Sequence, residues 1–334
     1  MAQTAVRTRK KTTAKAKPKK TVTPRRKQSA LKAVAAPSAA QVAVATPGSV
    51  LPAVDVHDSL EQFDRDGFLI LEKYLSDDLI EKINAEARHF YEKQGAHINN
   101  VGRTMNMHRE SPTIQQVLHD PNLFKLLGTL LKAEPYFLQS IYFFRGSQQP
   151  LHTDYLYMST EPHLQLCGIW FALEDVDLDN GPLMYVPGSH KLPIASVKDR
   201  YDTHFKMISD YVEKHREELE IQYRDRISVT NESLESCVFF DRWLDEINNN
   251  WKSAGMEVKW FQPKKGDVLV WHANLMHGGD MIRDHNRTRK SFVAHYLTQA
   301  VETYYDMNYP DKKNPMKLSE IDVNRPAVLQ IHNR

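Results

Sequence analysis

Acidic residues are missing from the first 54 positions of this 334-residue chain, although the same stretch carries 12 Lys and Arg between Arg7 and Lys32. Beyond it, 32 basic residues face 42 acidic ones, so the overall net charge of +2 conceals an acidic body of net −10 with a basic tail. A polyanion such as DNA is attracted by the tail and repelled by the body. Only two cysteines are present, Cys167 and Cys237, too few for a disulfide framework. Each is expected to be a small core residue of a protein in a reducing cytoplasm. No window approaches the roughly 20 consecutive apolar residues that a helix needs to cross a bilayer. The first residues also lack the apolar stretch and small-residue cleavage site of a secretory signal. An acid-free, Arg-containing start is shared with organelle transit peptides, but Lys, Ala and Pro dominate here and no amphipathic period is apparent. There is no internal repeat.

Residues 1–54 are rich in Lys, Ala, Thr, Pro, Val and Ser, a composition that buries too little apolar surface to offset the entropy of ordering. A disordered basic tail over 1–54 and one folded domain over 55–334 are the expected division. The run Lys15-Ala16-Lys17-Pro18-Lys19-Lys20 can contact phosphates or serve only as a solvated tail, and no aromatic residue interleaves with it to stack on bases. Order is expected from about Leu60, with residues 63–71 as a turn and short strand. Ser76 stands where an N-cap belongs, ahead of Leu79, Ile80, Ile83, Ala87, Phe90 and Tyr91 at helical spacing. A second helical region over 113–132 is interrupted at Asp120-Pro121. From Tyr136 onward, short runs rich in aromatic and β-branched residues (136–144, 164–173, 183–186, 267–271, 291–297) separated by Gly and Pro turns suggest a sandwich or jelly-roll barrel. Between them, residues 197–258 read as a polar helical insertion, long enough to expect a lid or a substrate-binding wall.

The informative stretch is Leu151-His152-Thr153-Asp154. On extended backbone, residues i and i+2 project to the same side, so one imidazole and one carboxylate can reach a single metal. A second His from elsewhere would complete a two-His, one-carboxylate face that leaves three positions of iron(II) open. By itself the triplet is weak evidence, since a surface His beside a turn Asp is common.

The order of several further motifs is more specific. Gly168-Ile-Trp170-Phe-Ala-Leu-Glu-Asp175, Asn180-Gly181-Pro182-Leu183, Pro187-Gly188-Ser189-His190-Lys191, Gly266-Asp267-Val-Leu-Val-Trp271-His272 and His277-Gly278 together resemble the phytanoyl-CoA dioxygenase family over about 63–297. The resemblance implies a mainly β fold with flanking helices, a double-stranded β-helix (a cupin-like jelly-roll barrel) with iron at its open end. It implies that His152 and Asp154 are the proximal ligands and His277 the distal one, with His272 as the competing candidate, read as core or as support behind the ligands. Arg289 matches the arginine that pairs with the far carboxylate of 2-oxoglutarate, a task for which a planar fork of donors is suited. It opens a strand in which Arg289, Ser291, Val293 and His295 alternate to one side. Arg283 and Arg287 are the alternatives, expected in a solvated turn, and the spacing from His277 to Arg289 is one residue longer than the family pattern. Trp170 matches an aromatic wall of the oxoacid pocket or is a core tryptophan, and Thr153 is placed to hydrogen-bond the co-substrate. His190 is read as part of a structural loop.

The implied cofactors are Fe(2+), 2-oxoglutarate and O2. The implied reaction hydroxylates an unactivated carbon of a small molecule, a metabolite or natural-product intermediate, with release of succinate and CO2. Asp154 speaks against halogenation, where that ligand is replaced by a small residue; desaturation, ring formation and demethylation would use the same ligands. Tyr142, Phe144, Tyr155, Tyr157 and Met158 flank the His-x-Asp segment and suggest a partly aromatic pocket. Asp241, Arg242 and Trp243 of the insertion either close over a polar substrate or belong to an ordinary helix face. Two other classes stand beside this reading: an oxygenase guided to nucleic acid by the basic tail, and a non-catalytic binding protein on the same barrel. Oligomeric state is not legible.

Overall fold

The computed structural model describes residues 42–43, 47–95, 101–230, 233–303, 316–317 and 328–331. Most of the expected basic tail therefore lies outside the described residues. Residues 47–54 do not, and from Ser49 onward they are buried or half-buried. Leu51 is 2% exposed, and the Asp120 carboxylate accepts from Val50 N at 2.7 Å and Leu51 N at 3.1 Å. Composition gave no sign of this, because the anchor lies about 70 residues away.

Helix α1 (Val56–Asp66) begins at Asp55, whose side chain accepts from His57 N, and ends at Gly67, where φ is 82°. Only a residue without Cβ adopts that angle at no cost, and it turns the chain directly into strand β1 (Phe68–Leu71). Residues 63–66, expected as a turn before the strand, are thus the end of a helix. Ser76 caps α2 (Asp77–Lys93) as expected. The interrupted region resolves into α3 (Pro112–Leu118) and α4 (Pro121–Leu131), with Asp120 as N-cap and a proline opening each helix.

The remaining described strands of three or more residues are β2 (Val101–Met105), β3 (Pro135–Phe143), β4 (Leu166–Ala172), β5 (Leu183–Tyr185), β6 (Lys259–Phe261), β7 (Val268–His272), β8 (His277–Gly279), β9 (Ser291–Thr298) and β10 (Val328–Ile331). Seven form one antiparallel sheet in the order β10-β2-β3-β9-β4-β7-β1, and three form a second in the order β8-β5-β6. Between β5 and β6 come helices α5 (Val197–Lys214), α6 (Arg216–Gln222), α7 (Arg224–Thr230) and α8 (Leu234–Ser253).

The central strands of the large sheet, β9, β4 and β7, are buried on both faces. One face, carrying Ile169, Phe171, Val268, Val270 and Phe292, shares a core with α2, α3 and α4, and Phe171 stacks on Phe292 at 4.2 Å. The opposite face, carrying Trp170, Leu269, Trp271 and Val293, packs with Leu183 and Tyr185 of β5 and Phe261 of β6. The strands therefore read as near-continuous apolar runs instead of alternating ones. With more helix than strand among the described residues, the chain is mixed α/β with antiparallel sheets, not mainly β, and no ladder among those residues closes the sheets into a barrel. Tyr142 and Phe144 belong to the helix-side core, so they do not line a pocket beside His152. No described helix is long and apolar enough to cross a membrane.

Candidate metal centre

Thr153 is extended (φ −115°, ψ 144°), so His152 and Asp154 project to the same side before the chain turns into a short 3-10 segment, Asp154–Leu156. His277 opens β8 directly opposite. His152 N donates to His277 O at 2.8 Å, and His277 N donates to His152 O at 2.9 Å. One ligand-capable atom from each of His152, Asp154 and His277 lies within 4.8 Å of the others, and all three residues are buried. His272 stays outside this group. It ends β7, its Nδ1 accepts from Asn274 N, and its ring packs on Phe63 and His190.

Backbone carbonyls orient both rings. His152 Nδ1 lies 2.7 Å from Pro150 O and His277 Nδ1 lies 2.9 Å from Leu275 O, so each Nδ1 carries the proton and each Nε2 is left as a donor atom for an ion. Burial, together with the facing His277 ring, pushes the pKa of His152 down to about 4, so it is neutral at pH 7. Burial also opposes ionisation of Asp154, but the imidazoles of His277 and His295 outweigh it and hold the carboxyl below the usual range. A neutral imidazole and an ionised carboxylate are the forms that bind a metal.

The carboxylate is fixed from behind. Trp271 Nε1 donates to Asp154 Oδ2 at 2.6 Å, and His295 Nε2 lies 3.4 Å from the same oxygen. Asp154 Oδ1, on the other side, is 3.5 Å from His277 Nε2. Gln139 Nε2 meets His295 Nδ1 at 3.2 Å. Sequence reasoning assigned no role to Trp271, Gln139 or His295. The alternation along β9 places His295 on the side of Arg289, while Trp271 could be found only from the pairing of β7 with β4.

Arg289 is 1% exposed, with its guanidinium 5.6 Å from the Trp170 ring centre and 5.8 Å from that of Phe143. Its Nη1 donates to Gly181 O at 3.0 Å and its Nε has no partner. Burial pushes its pKa down to about 10, against the nearby charge of Glu174, so it remains a cation at neutral pH. Trp170 Nε1, Ser291 Oγ and Thr153 Oγ1 are likewise buried without partners. A buried cation with unused donors around it costs free energy unless an anion completes it. These groups therefore fit a carboxylated ligand, and the three-residue cluster fits a divalent ion with open positions. Arg283 and Arg287 are committed elsewhere, to Asp280 and Asp177, and are paired at the surface rather than simply solvated. Asp241 binds Arg226 and Tyr223, Arg242 covers Tyr211, and Trp243 is buried against Tyr155, so all three serve helix packing.

The family described as Phytanoyl-CoA dioxygenase (PhyH) matches residues 63–290. Phytanoyl-CoA dioxygenase domain-containing protein 1 of Mus musculus is 34% identical over 97 residues, which is 28% of this chain and 33% of that protein. The chain thus spans about a third of the length of the first curated relatives it matches. Among solved structures, the non-heme alpha ketoglutarate dependent carbocyclase SnoK from nogalamycin biosynthesis is similar at a TM-score of 0.54 and 14% identity, over 78% of this chain and 93% of that one. EctD from S. alaskensis with 2-oxoglutarate and 5-hydroxyectoine is similar at 0.51 and 17% identity, over 87% and 90%. At such identities the likeness to both is one of fold.

Proposed function

The chain belongs to the phytanoyl-CoA dioxygenase family, and from that premise we propose that it is an Fe(II)- and 2-oxoglutarate-dependent oxygenase of jelly-roll architecture that hydroxylates an unactivated carbon of a small molecule. The observation that carries the proposal is the buried group of two imidazoles and one carboxylate, His152, Asp154 and His277. Iron(II) held by these three residues would supply the redox chemistry that couples the oxidative decarboxylation of 2-oxoglutarate to succinate and CO2 with insertion of one oxygen atom of O2 into the substrate.

The chain's own residues have separable tasks in this reading. His152 and His277 offer Nε2 because their Nδ1 protons are held by the main chain. Arg289 takes the far carboxylate of the oxoacid, with Ser291 Oγ two residues along the same strand as a further donor. Trp170 flattens one wall against the guanidinium, and Thr153 Oγ1 is available to the co-substrate beside the ligands. The substrate side is aromatic. Tyr157 meets the His152 ring edge-on at 5.5 Å and stacks on Phe240 of α8 at 5.6 Å, and Arg226 of α7 covers Phe240. This wall of the helical insertion suits a small, partly apolar substrate better than a polymer. The structural relatives named for nogalamycin biosynthesis and for 5-hydroxyectoine also point to small molecules. A reducing cytoplasm, where buried Cys167 and Cys237 stay thiols, belongs to the same proposal.

The test is to add iron(II) and 2-oxoglutarate without oxygen and record the weak visible absorption of a metal-chelated oxoacid. The band should appear in the native chain, vanish with His152→Ala, and need far more 2-oxoglutarate with Arg289→Ala. A native protein that binds neither iron nor the oxoacid would leave a binding module as the better reading.

A further inference from the structure

The ladder registers place Phe68, Trp271, Gly168, His295 and Gln139 in one row across β1, β7, β4, β9 and β3, all on the face that looks toward Asp154. Four of the five carry side chains large enough to fill that row. Gly168 carries none, and the Trp271 indole lies across it. A Cβ added at Gly168 would meet Trp271 Cε2 at 2.3 Å, Cζ2 at 2.4 Å and Nε1 at 2.6 Å, closer than real atoms approach. Gly168 needs no unusual backbone angle, since it is not among the glycines with positive φ. Its missing side chain is required for space alone.

That space lets the indole reach the carboxylate. Trp271 Nε1 donates to Asp154 Oδ2 at 2.6 Å, and the indole ring also lies 4.8 Å from the ring of His277. The two carboxylate oxygens are thereby made different. Oδ2 is taken by Trp271 and faces His295, whereas Oδ1 faces His277 Nε2. An indole N–H donates and never accepts, so the oxygen it meets is held as an acceptor.

We propose that Trp271, seated in the space left by Gly168, is a positioning residue for the metal centre: it occupies Asp154 Oδ2 so that the carboxylate offers Oδ1 alone to the ion. The proposal rests on the reading of His152, Asp154 and His277 as ligands. Its consequence is that Asp154 binds through one oxygen, leaving the remaining positions of the ion to co-substrate and oxygen.

Co(II) serves as probe, because its visible bands report coordination number and it can be titrated without turnover. The Trp271→Phe change keeps an aromatic ring and removes the N–H. It should weaken Co(II) binding roughly 10–100-fold, the range usual for partners that orient a metal ligand, and should change the shape of the visible bands. Gly168→Ala, which drives the indole off Asp154, should do the same, and the double variant should add less than about twofold to Trp271→Phe. A purely structural role would lower the melting temperature of the metal-free protein and leave the bands of the bound ion unaltered. On the native chain, one of the five tryptophan indole N–H protons should resonate well downfield of the rest and move when Zn(II) is added. Unchanged Co(II) affinity and bands in both single variants, or the absence of such a downfield proton, would overturn the proposal. A native chain that binds no Co(II) at all would instead sink the ligand assignment beneath it.

Discussion

His152 and His277 exchange both main-chain hydrogen bonds across an isolated antiparallel bridge, with their rings 4.5 Å apart. The approach of the two rings is thus set by backbone atoms that no side-chain substitution removes. This separates ligand loss from misfolding, which is the usual ambiguity of such variants.

His277→Ala should accordingly melt within a few degrees of the native chain when both are free of metal. Only the native chain should be stabilised by added Fe(II) or Co(II), by about 2.7 kcal/mol at a hundredfold excess over Kd. Thermal shift with and without metal checks this, and equal metal-dependent gains in both proteins would remove His277 from the ligand set.

Arg289→Ala should raise the 2-oxoglutarate concentration for half-saturation roughly 10–100-fold, the equivalent of about 1.5–3 kcal/mol for hydrogen bonds to a charged group. Arg289→Lys should recover little of this, because a point charge cannot reproduce the planar fork that lies over Trp170. Succinate release titrated against 2-oxoglutarate is the measurement. A normal half-saturation in both variants would assign the oxoacid to other groups.

Acid should destabilise the metal-free protein in a definite window. His108, His152 and His272 are each pushed down to about 4, chiefly by burial. Histidines of the unfolded chain titrate near 6.5 and take up protons that these three refuse. The unfolded state then binds more protons, so stability is complete above pH 6.5 and is lost as pH falls from 6.5 toward 4, on the order of 2–3 kcal/mol per group. Asp154 works with the same sign but only below the ordinary carboxyl pKa. His108 is remote from the ligands and bonded to Ser140 Oγ, so His108→Gln should flatten the slope by about one proton. A melting temperature that is level from pH 8 to 5 would contradict this account.

Asp120 accepts from Val50 N, Leu51 N and Asn122 N, joining the start of the folded part to the N-terminus of α4. Asp120→Ala removes a helix cap worth about 1 kcal/mol, strands Val50 N and leaves Leu51 N with Ser49 Oγ alone. A loss of roughly 2–4 kcal/mol is expected, read as a lower urea midpoint at unchanged slope. Deleting residues 1–41 should leave that midpoint where it is, whereas deleting 1–54 should lower it about as far as Asp120→Ala does.

The parts of this site that sequence made legible are those whose geometry is local. His152 and Asp154 lie on one extended segment, and Ser291, Val293 and His295 share a face of one strand, so period-two reasoning reaches them. Trp271 escaped because its position opposite Gly168 depends on the register of strands separated by about 100 residues. The same limit explains Tyr142 and Phe144. Adjacency to the metal segment suggested a pocket, but alternation turns them to the helix side of the sheet. Residues 49–54 and α1 are not legible from composition, because Asp120 and the αL turn at Gly67 fix them through contacts outside the segment.

Tyr185 and Lys259 are register partners on β5 and β6, so the chain that runs out into α5–α8 leaves and re-enters the small sheet at the same rung. Closing such an excursion costs entropy that grows only logarithmically with its length. His277 is paired to Tyr185 from the opposite edge. What ties the helical segment to the metal segment is α8, through Trp243 against Tyr155, Phe240 on Tyr157 and Asn248 Nδ2 donating to Leu151 O at 3.2 Å. Changes of length in α6 and α7 that keep these α8 contacts are therefore expected to leave His277 on its rung, whereas removal of α8 would strip the packing from Tyr155 and Tyr157.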